Sequence, residues 1–187
     1  MIRAFKYFSI AAGGTPQPLI GTTISAAVGP VAGVSPPNPN NTLALTVADN
    51  SMFSVGDWGV IGKPSSGEER LLIQSKSGTT TVTVRLPKDG LVNAYGSGSY
   101  FRLSNQMNSV YIQGLDGNTG PLYVGTGDAM VKATGVLLIA KLQQVATNSQ
   151  PIDFHDGRSG LANADDCGAL WIDGTTGDKY LPSIGVV

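Results

Sequence analysis

From Tyr7 to Ala48 the chain carries no Asp, Glu, Lys or Arg, and this stretch limits what the rest can be. Pro16, Pro18, Pro30, Pro36, Pro37 and Pro39 fall within it. Proline removes a backbone donor and clashes with the preceding turn, so no continuous helix can form. Extended, irregular backbone is predicted. Its Val, Ile, Leu and Ala residues are too aperiodic for a core of their own, yet too numerous for a freely solvated linker. Two readings follow. In the one adopted, residues 1–41 are an extended N-terminal arm lying along a neighbouring subunit. In the other, the stretch joins the domain's own core with long loops, or is a flexible leader. The run Gly33-Val-Ser-Pro-Pro-Asn-Pro-Asn-Asn41 reads as a hinge or semi-rigid spacer, because its prolines favour polyproline II and its asparagines suit turns.

After Asn41 the pattern becomes short strands separated by turn residues. Leu43, Leu45 and Val47 share one strand face and Thr42, Ala44 and Thr46 the other. Trp58 to Ile61 and Glu69 to Gln74 flank the turn cluster Lys63-Pro-Ser-Ser-Gly67, which predicts a hairpin. Thr79 to Leu86 is the clearest strand, since a β-branched run fits a pleated surface and disfavours helix. The series continues at Tyr100–Leu103, Val110–Gln113, Leu122–Val124, Met130–Ala133, Val136–Leu142, Ile152–Phe154 and Ala169–Asp173, and residues 161–167 allow one helical turn. Frequent turns without a sustained helical period predict an all-β chain of small β-barrel or β-sandwich modules, jelly-roll-like. Residues 42–105 form one small module and 106–187 a sandwich domain. One motif occurs twice, Leu115-Asp-Gly-Asn-Thr-Gly-Pro-Leu-Tyr123 and Ile172-Asp-Gly-Thr-Thr-Gly-Asp-Lys-Tyr180. Its Asp-Gly and Thr-Gly steps predict a reused tight hairpin connection.

Only 13% of residues are charged, about half the usual share, while 41% are hydrophobic. Disorder does not explain this, because disordered chains are poor in apolar residues. Burial of surface against other protein does, since interface cores are depleted in charge. Net charge is −1 and the basic residues are scattered from Arg3 to Lys179, so no nucleic-acid partner is expected. The longest apolar stretch, around Val136 to Ala140, falls far short of the roughly 20 residues of a membrane span, so no membrane partner is expected. Arg3 and Lys6 ahead of Phe8-Ser-Ile-Ala-Ala imitate a signal peptide, but Gly13, Gly14 and Pro16 interrupt it too early. Cys167 is the sole cysteine and makes no intrachain bridge, so synthesis in a reducing cytoplasm is the default.

His155, in Asp153-Phe-His-Asp156 and near Asp165, Asp166 and Cys167, is the place to look for a metal or acid–base site. Zinc usually takes several His or Cys ligands, and one of each leaves carboxylates to fill the rest. The plainer reading is a loop histidine, although a trimer could gather three copies on an axis. Asp116 and Asp173 invite a calcium reading but lack the dense acidic spacing of an EF-hand, so structural turns are favoured. Gly96-Ser-Gly-Ser99 is no nucleophile elbow, and Gly125-Thr-Gly127 is too short for a phosphate cradle without a following helix. Trp58, Trp171 and the six tyrosines read either as a sugar platform or as core and interface anchors, and the second is favoured. No catalytic, cofactor-binding or metal residue is therefore assigned. A non-enzymatic chain with no cofactor and no small-molecule substrate is expected.

Phe53-Ser-Val-Gly-Asp-Trp, Gly67-Glu-Glu-Arg with Ile73 and Ser75, Gly78-Thr-Thr-Thr-Val-Thr-Val and Gly96 to Leu103 resemble small β-modules of tailed-bacteriophage virion proteins. Val110-Tyr-Ile-Gln, Leu122-Tyr-Val-Gly125 and Trp171-Ile-Asp-Gly resemble the β-sandwich domains of capsid decoration, or cement, proteins. The resemblance spans most residues after Asn41. It implies a protein on the outside of an icosahedral head, often trimeric, whose partner is the major capsid protein. A tail, fibre or neck component, a carbohydrate-binding module, or an enzyme with an intersubunit active site are the alternatives.

Overall fold

The computed structural model describes residues 2–33, 41–115, 117–128, 136–139 and 166–186. These residues are all-β, with short 3-10 turns at Pro64–Ser66 and Cys167–Ala169. Five strands precede the proline-rich run: β1 (Ile2–Ala4), β2 (Phe8–Ser9), β3 (Gln17–Pro18), β4 (Gly21–Thr23) and β5 (Val31–Ala32). Next come β6 (Thr42–Thr46), β7 (Trp58–Lys63), β8 (Gly67–Ser77), β9 (Thr81–Arg85), β10 (Gly90–Leu91) and β11 (Tyr100–Leu103). The last are β12 (Met107–Gly114), β13 (Leu122–Thr126), β14 (Val136–Ile139), β15 (Leu170–Asp173) and β16 (Lys179–Val186). They fall into two compact units: Ile20–Asn105, and Met1–Leu19 together with Gln106–Val187.

In the unit Ile20–Asn105, six antiparallel strands run in the order β4-β11-β7-β8-β9-β6. The alternation at Leu43, Leu45 and Val47 and at Val82 and Val84 turns one face inward, onto Ile61, Leu71, Ile73 and Phe101. Phe53 packs on Phe101 with ring centroids 4.9 Å apart. A Cβ on Gly59 would overlap the Phe101 ring, so only glycine lets this strand cross the core there. The sheet curls until its two edges meet. Ile24 bridges Val47, Ser25 N donates to Thr46 O (2.7 Å) and Ala48 N donates to Thr23 O (2.9 Å). The outer strands β4 and β6 are thereby tied at one end, which gives this unit its barrel character. The hairpin expected around Pro64 is present, in register from Trp58↔Leu72 to Lys63↔Gly67.

The second unit pairs two sheets. In one, β16 lies between β12 on one side and β1 and β2 on the other, and the second runs β14-β13-β15-β3. Pro182 sits within β16 without interrupting the ladder to β12. Its carbonyl accepts from Phe5 N (3.3 Å), so its missing N–H faces the interruption between β1 and β2. Pro18 is tolerated because β3 is an edge strand. The duplicated motif is not a hairpin, contrary to expectation. Each copy carries the chain from one sheet to the other: β12 to β13, and β15 to β16. The copies clasp each other. Asp178 accepts from Thr119 N (2.7 Å), Thr119 Oγ1 (3.2 Å) and Gly120 N (3.1 Å). Asn118 exchanges two bonds with the Lys179 backbone, donating to its O (2.9 Å) and accepting from its N (2.7 Å). Turn polar groups bond across to the other turn as well as within their own, and the strands flanking each copy pair in different sheets, which makes the copies arches.

The expectation of an arm over residues 1–41 is corrected. Residues 2–19 pair with β15 and β16, while residues 20–33 pair with β11, β6 and β10. Ile10, Leu19, Ile20 and Ile24 are at most 1% exposed, so this apolar, uncharged sequence is spent on the chain's own core. Tyr180 anchors the first part. Its ring stacks on Phe8 at 5.6 Å, and its hydroxyl donates to Leu19 O (3.1 Å) and lies 3.4 Å from Pro18 O. Most of the proline-rich hinge lies outside the described residues, as do the strands expected at Met130–Ala133 and Ile152–Phe154. Tyr180→Ala should therefore cost about 3–5 kcal/mol, and Tyr180→Phe about 1 kcal/mol, in urea unfolding. A loss well below this for the alanine variant would show that the N-terminal segment is not locked.

Candidate interaction surface

The same alternation that buries one face of the barrel sheet sets the other outward. Trp58, Leu72, Arg85 and Thr42 are direct cross-strand partners on β7, β8, β9 and β6. With strands about 4.8 Å apart, they form one row about 14 Å long. Trp58 is 41% exposed, and Val55 on the preceding turn is 65% exposed. Beside the row, Arg70 lays its guanidinium over the Trp58 ring, 5.0 Å from the centroid, and donates to Ser104 O (2.8 Å). The Trp58 N–H donates to Asn105 Oδ1 (2.9 Å), and Asn105 Nδ2 donates to Asp57 Oδ1 (2.8 Å). Asp57 in turn accepts from Ser54 N (2.6 Å). An exposed tryptophan is thus held from its backbone and from one ring face. Farther along the sheet the outward rows are uncharged, Ala44–Thr83–Ser75 and Thr46–Thr81–Ser77.

The charge next to this face is internally committed. Arg102, 2% exposed, donates to Gly62 O (2.8 Å) and forms an ion pair with Glu68. Glu69 accepts from Val92 N (3.0 Å), Asn93 N (2.8 Å) and Tyr95 Oη (3.1 Å), fixing the loop that carries Tyr95. Tyr95 also exchanges backbone bonds with Val28, 2.7 and 2.8 Å. Burial pushes the Tyr95 hydroxyl up to about 12, and the Glu69 charge acts in the same direction. Burial likewise raises the Tyr100 hydroxyl.

The other candidates are dispersed. Trp171 is fully buried in β15 and Tyr180 in β16, so neither can stack on a ligand, whereas Tyr7 is exposed. Asp173 accepts from Gly14 N (2.9 Å) and Gly174 N (2.7 Å), a structural turn, and Asp116 lies outside the described residues. Asp166 accepts from Gly168 N (2.7 Å), capping the short turn that buries Cys167. His155, Asp153, Asp156 and Asp165 lie outside the described residues. Ser97 of the Gly96–Ser99 turn donates to Ser25 O (3.0 Å), and Gly125 and Thr126 end β13. Among the described residues no cluster of His, Cys, Asp or Glu is placed to hold a metal ion. Sequence reasoning missed Arg70 and Arg85. Their signal was the alternation that puts Arg70 and Leu72 on one face of β8.

The raised Tyr95 hydroxyl makes stability depend on alkaline pH. An unfolded tyrosine loses its proton near 10.0 and the folded one near 12, so the contribution is intact below the first value and is lost as pH climbs to the second. Denaturation of the wild type and Tyr95→Phe across this range should show the extra loss in the wild type only. Parallel curves would contradict it. Comparison with protein-family models, with curated proteins and with solved structures yields no match.

Proposed function

We propose that this chain is a non-catalytic virion structural protein of the capsid-decoration type. In this reading it binds the outer surface of a tailed-phage head, bridges neighbouring major capsid subunits, and is itself a homo-oligomer, with a trimer favoured. The observation that carries the reading is the rigid surface around Trp58, where a preset tryptophan and arginine stand exposed on a regular β-face. Such residues dominate interface energetics, and a side chain already held in place loses little entropy on docking. Burial of the surrounding apolar surface contributes about 25 cal/mol per Å², offset by the entropy of association. The composition and the resemblance of residues after Asn41 to phage β-modules support the same reading. Bridging falls to sheet faces, because residues 2–33 are engaged within the chain.

One observation favours a carbohydrate-binding module instead, namely the open ring of Trp58. With Trp171 buried, the two tryptophans do not form a platform.

The decisive experiment uses particles from a phage genome in which this gene is deleted. Purified chain is added back and its occupancy imaged. Saturable occupancy of the head lattice, with increased heat resistance of the particles, is the expected result. Binding at the tail would favour the fibre or neck reading, and no binding to particles would remove the virion reading.

A further inference from the structure

We infer that the row Trp58–Leu72–Arg85, flanked by Arg70, is a docking strip for an acidic protein segment that presents an apolar side chain beside a carboxylate. This rests on the proposed docking role and names the surface and the chemistry of its partner. Three observations carry it. The register places an aromatic, an aliphatic and a cationic side chain in one line across adjacent strands. Leu72 is half-buried between Trp58 and Arg85, so the line is a continuous apolar ridge ending in a charge.

The second observation is charge. Among the described residues neither Arg70 nor Arg85 has a carboxylate within ion-pair distance. Glu68, on the same strand two residues before Arg70, is engaged by the buried Arg102. Among the described residues the face therefore presents two guanidinium groups that are in no ion pair. Guanidinium forks fit carboxylates bidentately, and being planar they can lie flat on an aromatic ring at the same time. The third observation is order. Arg70 is fixed by the Ser104 carbonyl and the Trp58 ring, and Trp58 by Asn105, so the strip holds its shape without a partner. A neutral partner would cover Arg85 without supplying a counter-charge. A partner with carboxylates alone would leave Trp58 and Val55 in water. A protein segment with both features satisfies the whole strip.

The test uses gene-deleted particles as the probe, with wild-type chain and the variants Arg85→Glu, Trp58→Ala and Arg70→Glu. Arg85 is exposed and, among the described residues, bonds no other side chain, so its reversal should leave the fold intact, which circular dichroism melting verifies. Arg85→Glu and Trp58→Ala should each raise the concentration for half-occupancy by about tenfold or more. Wild-type binding should also weaken as the screening length shrinks from about 10 Å at 0.1 M to about 3 Å at 1 M salt. Wild-type affinity in both folded variants would overturn the strip while leaving the virion reading intact. So would salt-independent binding. Loss of heparin binding in the variants with unchanged particle occupancy would overturn the protein-segment assignment in favour of an anionic glycan. Failure of the wild type to bind particles removes the functional reading and, with it, this inference.

Discussion

An antiparallel sheet with an unmet edge needs another strand, and both units take one from the first 33 residues. β1 and β2 complete the side of β16 away from β12, β3 edges the second sheet, and the residues after β4 tie the barrel sheet to β6. The pairing is extremely non-local. Ile2 is opposite Gly185, so the sandwich unit cannot be completed until nearly the whole chain is available. Closing so long a loop delays the reward of the contacts it permits, which places this docking late in folding.

The same design explains where the few charges go. Asp178 and Asp173 terminate backbone donors in the arches, Asp57 holds the turn before β7, and Arg102 with Glu68 braces the barrel sheet. Each of these carboxylates accepts hydrogen bonds from the chain's own donors, and Glu68 meets the buried Arg102. Charge used inside is not available outside. Part of the low charged fraction thus reflects internal structure, since the uncharged N-terminal stretch lines the chain's own core. What remains outside is a hydroxyl- and methyl-bearing sheet face on which Arg70, Arg85 and Trp58 are conspicuous.

The strands from Thr42 to Leu103, apart from the two-residue β10, were legible because their alternation is regular and one face is buried. The N-terminal strands were not, because each is two or three residues long, interrupted by glycine and proline, and defined only by partners far along the chain. β16 escaped notice for a related reason: Pro182 and Gly185 break its pattern, and the structure tolerates the proline only because of the gap beside it. The duplicated motif was legible as a turn. Whether a turn closes a hairpin or an arch depends on what its flanks pair with, and no local residue states that. Trp58 could be recognised as a candidate anchor, but the buried Trp171 could not be distinguished from it by type alone.

Amide hydrogen exchange on the isolated chain tests the central claim most directly. The amides of Ile10, Leu19, Ile24 and Val28 donate to Asp178, Leu170, Ser99 and Tyr95 within the chain. They should exchange as slowly as their pairing strands. Exchange of these amides at the rate of an unstructured peptide, with the strands from Thr42 onward still protected, would mean that the N-terminal segment is a free arm after all.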